Sequence, residues 1–179
     1  MFMKIVISIC LVCLLGTLSS AGAIEQKEFT EETFTTEFLV TNIPEFVSTP
    51  KNGTAWEILA STEEVPYSET MPDGLVNEGS RPKFTPIVQA LDGKEVIMQG
   101  YMFPLSPNED QSMFLFGPFP MSCPFHYHVT PNMVIEVSVA KPIPLSFEAI
   151  NIKGVIQLVP RDDEFNMFYR IQNAEVIKP

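Results

Sequence analysis

The chain has 179 residues, 11 basic against 22 acidic side chains and a formal net charge of −11. A phosphate backbone repels such a surface and needs clustered Lys and Arg to bind, so the balance disfavours nucleic acid and suits a cationic partner or a metal ion better. The length is enough for one domain with a real core and gives no reason to propose two.

Residues 1–23 read as a signal peptide. Lys4 opens it, "IVISICLVCLLGTL" is its apolar core, and "SSAGA" places Ala21 and Ala23 at the spacing a signal peptidase accepts. Ile9 and Val12 precede Cys10 and Cys13, and the lack of a small residue there argues against lipidation. The apolar run is short for a membrane span and no second one follows, so the mature protein is expected to be soluble and periplasmic or secreted, with no membrane span. Cleavage removes one lysine and no acid, leaving 10 basic and 22 acidic residues and a net charge of −12. It also removes two of the three cysteines. Cys123 is then alone, no internal disulfide forms, and in an oxidising compartment the thiol must be buried, occupied or used.

Residues 24–83 read as an N-terminal extension, the first dozen loose. "AWEILA" (55–60) is a helical turn or a strand that docks Trp56 on a core. Ser61 to Lys83, rich in Pro, Gly, Glu and Ser, reads as a long surface loop.

From residue 84 to 179 a β domain is predicted. "FTPIVQALDGKEVIMQGYMFPL" (84–105) shows two β-branched runs around Asp92-Gly93, a hairpin signal. Further strands are predicted at 113–117, 133–140, within 145–160 with a bulge at Gly154, and at 167–178. No run of ten residues keeps a helical apolar period. The fold class expected is mostly β, a small barrel or compact sandwich.

Both histidines of the chain and the one mature cysteine lie in "CPFHYH" (123–128). A thiolate and two imidazoles are ligands that zinc or another divalent transition metal selects. In His126-x-His128 an extended backbone would point both rings to one face, and a turn at Pro124 could bring the Cys123 sulfur round. Met121, Met133, Glu136 or water would complete the set. Two other readings stay open: a buried structural cysteine with turn-capping histidines, and a thiol doing redox or nucleophilic work. A blue-copper site is rejected because no histidine exists outside the loop. Dithiol exchange is excluded for want of a second cysteine, and no Gly-rich phosphate loop or His-Glu-x-x-His helix is present.

"ALDGKEVIMQGYMFPL", "MFLF" and a cysteine-histidine loop ending in "PNMV" resemble a family of small exported bacterial proteins known only as a domain of unknown function. The features fall on Leu91, Asp92, Gly93, Lys94, Gly100, Tyr101, Pro104, Leu105, Cys123, His126, Pro131 and Asn132. Where the family often has a histidine two residues after the cysteine, this chain has Phe125. The resemblance spans roughly residues 84–177 and implies an OB-like barrel, similar to oligonucleotide/oligosaccharide-binding barrels, and envelope transport components as neighbours; it implies no established reaction. The function expected is thus a periplasmic metal-binding accessory, not an enzyme, in which Cys123, His126 and His128 hold the ion and an envelope protein or transporter component is the partner. The alternative is a non-catalytic β-barrel interaction module whose Cys/His loop is structural.

Overall fold

Five strands close into a barrel in the order β3 (Glu95–Pro104), β4 (Asp110–Gly117), β5 (Ile135–Pro144), β7 (Tyr169–Ile177) and β6 (Ile150–Leu158), which returns to β3. Every pair is antiparallel except β5 with β7. The fold is mostly β as expected, and of the barrel and the sandwich left open by the sequence it is the small barrel. The computed structural model describes residues 34–177; the signal-peptide reading of residues 1–23 and the start of the extension lie outside the described residues. No helix among the described residues is long and apolar enough to cross a membrane.

Alternation builds the barrel. Along β3, Val96, Met98 and Met102 point inward and are buried, while Ile97, Gln99 and Tyr101 between them face outward. Phe114, Phe116, Ile135, Val137, Ile152, Ile156 and Ile171 fill the interior from the other strands. The bulge predicted at Gly154 is present: the β6–β7 register shifts between Lys153 and Val155. A Cβ at Gly154 would lie 2.5 Å from Ile171 Cγ2, so only glycine lets β7 approach so closely.

Short helical segments and a two-stranded hairpin precede the barrel. The helix α1 (Thr36–Asn42) runs into a 3-10 turn at Ile43–Glu45, and the short helix α2 (Trp56–Ala60) buries Trp56, Leu59 and Ala60. The Tyr169 hydroxyl donates to the Leu59 carbonyl at 2.8 Å and lies 2.6 Å from Thr62 Oγ1, fastening α2 to β7. A two-stranded hairpin follows, β1 (Glu63–Thr70) with β2 (Val76–Lys83), turning at Met71–Gly74.

That hairpin corrects the expectation of a long loop over 61–83. Both faces are polar and both strands carry a proline, Pro66 and Pro82, so neither alternation nor propensity announces them. Side chains hold it instead. Arg81 lies 4.1 Å over the Tyr67 ring and 2.8 Å from Glu69, and Arg161 bridges Glu69 (3.2 Å) to Asp163 (2.6 Å), mooring the ribbon to the turn before β7.

The predicted hairpin at Asp92-Gly93 is also corrected. The first apolar run is the short helix α3 (Pro86–Gln89), begun by Pro86 at its first position with Val88 turned to the core. Asp92-Gly93 is the turn from α3 into β3. Its partner is β6: Gly93 N–H donates to the Ile156 carbonyl (2.8 Å), and Asp92 Oδ1 accepts the Leu158 N–H (2.9 Å).

Candidate functional site

The segment leaving β4 turns at once, buries Phe119 and reaches the Cys/His loop. Pro124 fixes φ at the first position of a 3-10 helix, Pro124–His128, and Cys123 caps it by accepting the Phe125 N–H on its sulfur at 3.5 Å. The local conformation decides what the loop can do. A 3-10 helix turns every three residues, so residues three apart share a side and residues two apart do not. His126 therefore folds back over Cys123, its Nδ1 donating to the Cys123 carbonyl, while His128 points elsewhere. The one-face geometry expected for His126 and His128 needs an extended backbone, and the loop is helical.

Each imidazole is engaged by aromatic rings. His126 packs on Tyr127 with centroids 3.7 Å apart and faces Phe103 at 5.9 Å. His128 stacks on Phe34 at 3.8 Å. Between them Phe125 is the hub of an edge-to-face cluster, 5.5 Å from Phe119, 5.6 Å from Phe38, 5.7 Å from Phe46 and 5.8 Å from Phe34. The loop is the surface on which α1 and the chain around it dock. Spacing held a signal for this: Phe34 and Phe38 lie four apart, just before and on α1.

The structure does not gather Cys123, His126 and His128 into one coordination shell. Among the described residues, no three of His, Cys, Asp or Glu lie where they could hold a metal ion together. The other ligands considered are dispersed. Met133 is fully buried in the core, Met121 is on the surface, and Glu136 accepts from Arg170 Nε at 2.8 Å. Arg170 Nη2 also donates to Asp162 at 2.7 Å.

Asn132, of the Pro-Asn step that closes the loop, is 3% exposed. Its Nδ2 donates to the Ala60 and Thr62 carbonyls (3.3 and 3.2 Å) and its Oδ1 accepts from Thr130, so it ties the loop's end to the end of α2.

Beside the loop an apolar cleft of about 270 Å³ opens between Tyr101, Met102, Pro120, Met121, Ser122 and Phe147. Met121 is 43% exposed, Phe147 70%, and Tyr127 on the loop itself 79%. Burial first, then the nearby Glu148 and Cys123, push the Tyr101 phenol above its ordinary value; the hydroxyl stays protonated and donates to the Phe46 carbonyl at 3.1 Å. This half-buried ring forms the cleft floor. Sequence patterning gives no warning of the cleft, because its residues come from β3, the 118–123 turn and the 145–149 loop.

A family model described as a protein of unknown function (DUF3299) matches residues 57–178, a span that takes in α2 and the hairpin as well as the barrel. A crystal structure of a DUF3299 family protein from Pseudomonas aeruginosa is similar to this chain at 24% identity, covering 52% of this chain and 68% of that one, with a TM-score of 0.40. No curated protein matches.

Proposed function

The chain belongs to the DUF3299 family of proteins of unknown function, and from that footing we propose that it is a non-catalytic β-barrel module of the cell envelope that binds a partner protein. The docking face is the apolar cleft beside the Cys/His loop, and the loop itself is structural. One observation carries the reading: sulfur and imidazoles are spent on capping and ring packing, while Met121, Tyr127 and Phe147 stand exposed around the same loop. Apolar side chains of this size, Met and aromatics above all, are enriched at protein interfaces, and clustered exposure costs solubility unless something covers it. The signal-peptide pattern of residues 1–23 supports the envelope as the place.

A metal-carrying role, with zinc or another divalent ion on Cys123, His126 and His128, would require the three side chains to converge, and the 3-10 helix does not bring them together. The packing role needs no such rearrangement.

Site-specific photo-crosslinking in intact cells tests the docking face. A photoreactive residue at Phe147 should give a discrete protein adduct that Met121→Asp removes. The same residue at Phe165 should not, because Phe165 lies beyond the other end of β6, a nine-residue strand about 30 Å long. Equal labelling at both positions, or none at Phe147, would contradict the assignment.

A further inference from the structure

The cleft beside the Cys/His loop is apolar within and acidic around its rim. Its lining, from Tyr101 and Met102 to Met121 and Phe147, includes no charged side chain. The 118–123 turn and the 145–149 loop frame it, and the Leu145 N–H ties the second of these to the 105–110 loop by donating to the Glu109 carbonyl at 2.9 Å. Together the three segments hold Glu109, Asp110 and Glu148 and no Lys or Arg. All three acids are exposed, and none enters an ion pair among the described residues.

Acids elsewhere on the barrel and its hairpin have counter-charges. Lys153 matches Glu95 at 3.0 Å, Arg170 matches Glu136 at 2.8 Å, and Arg161 holds Asp163 and Glu69. Lys141, the one cation of β5, lines a different cleft together with Glu175. Glu148 meanwhile acts on the cleft itself: after burial, it is the next cause that holds the Tyr101 phenol up, so its field reaches the floor. Like charges gathered without counter-ions repel one another, and the net negative charge of the whole chain adds to the local potential.

We propose that the occupant of this cleft is a basic, apolar segment of a partner protein: one large apolar side chain enters between Met121 and Phe147, and Lys or Arg within a few residues of it face Glu148 and Glu109. The inference rests on the docking reading above and narrows it to one class of partner. A cleft of about 270 Å³ is smaller than most small-molecule sites and suits a single anchoring side chain. The residues flanking that anchor must pass over the rim, where Lys and Arg relieve the repulsion and Asp or Glu would add to it. Long basic side chains also lay their stems along apolar surface while the charged head stays in water beside the carboxylates.

Methyl NMR of the full mature chain, read at Met121, tests the proposal with three synthetic nonapeptides. The first is built of Leu, Lys and Ser, the second has every Lys replaced by Glu, and the third has every Leu replaced by Ser. The Leu/Lys peptide should shift the Met121 methyl saturably. Each counterpart should bind at least about tenfold more weakly, one meeting like charge at the rim and the other leaving the cleft unfilled. Glu148→Lys should weaken the Leu/Lys peptide about fivefold or more, whereas Glu164→Lys, the same charge change on the turn beyond the other end of β6, should leave it bound as before. Equal binding by either counterpart, or no saturable shift with the Leu/Lys peptide, overturns the proposal. So does a Met121 signal that moves with protein concentration alone, which would make a second copy the occupant. Failure of the docking reading shows separately, in intact cells: absence of a photo-adduct at Phe147 removes both claims. A Phe147 adduct that survives Glu148→Lys leaves docking standing and overturns the basic partner alone.

Discussion

The His128 imidazole lies flat on the Phe34 ring, centroids 3.8 Å apart and planes within 1° of parallel. The contact joins the Cys/His loop to the chain entering α1, and it uses the shape of the imidazole rather than its nitrogens. Replacing the ring with a methyl group should therefore cost about 0.5–1.5 kcal/mol, the range for aromatic pairs beyond simple burial. His128→Phe should keep most of that stability. Urea unfolding of the two variants checks it; equal losses would show that a ring nitrogen matters.

Tyr169 carries a buried polar link between α2 and the barrel. Burial pushes its phenol well above the ordinary range, so the hydroxyl is a donor at every working pH. Tyr169→Phe leaves Thr62, itself 2% exposed, and the Leu59 carbonyl without that partner. The expected loss is about 1–3 kcal/mol, from buried groups left unpaired. Loss of amide-exchange protection at Leu59 to Thr62 ahead of the strands would localise it.

Acid should unfold the protein in part through Asp162. Burial opposes its charge, yet the N–H groups of Phe165 and Glu164 and the Arg170 guanidinium outweigh that and hold the carboxyl below its ordinary value. A folded value below the unfolded one contributes stability that is fully present above about pH 4, the unfolded value, and is lost as pH falls through the folded one. Asp162→Asn should thus flatten the stability profile below about pH 4 relative to the natural chain. Parallel profiles in that range would contradict the assignment.

Gly154→Ala should be among the costly single substitutions in the barrel. The added methyl meets Ile171 Cγ2 at 2.5 Å and the Ala174 Cα at 3.1 Å, and backbone cannot yield as a flexible side chain would. The penalty for overpacking is about 1–3 kcal/mol, read as a lower melting temperature. Ile171→Ala, which removes the clashing Cγ2, should cost less in the Gly154→Ala chain than in the natural one.

The barrel strands were legible because one face of each is buried. Alternation at Val96, Met98 and Met102, the apolar cluster at Phe114 and Phe116, and the glycine at 154 all reflect that constraint. The β1–β2 hairpin escaped detection because nothing forces its faces apart in polarity. Asp92-Gly93 misled for a different reason: the dipeptide encodes a tight turn but not what precedes it, and Pro86 starts a helix there. At the Cys/His loop the residue types were visible and the backbone was not. Pro124 turns an extended His-x-His into a 3-10 turn, and the partners of its rings, Phe34 and Phe103, come from far along the chain.

Elemental analysis of the mature protein, purified without a histidine tag, tests the structural reading of the Cys/His loop most directly. The account predicts well under one zinc or other transition-metal ion per chain, with the residual amount unchanged in Cys123→Ser. One ion per chain, lost in Cys123→Ser and in either His126→Ala or His128→Ala, would contradict it.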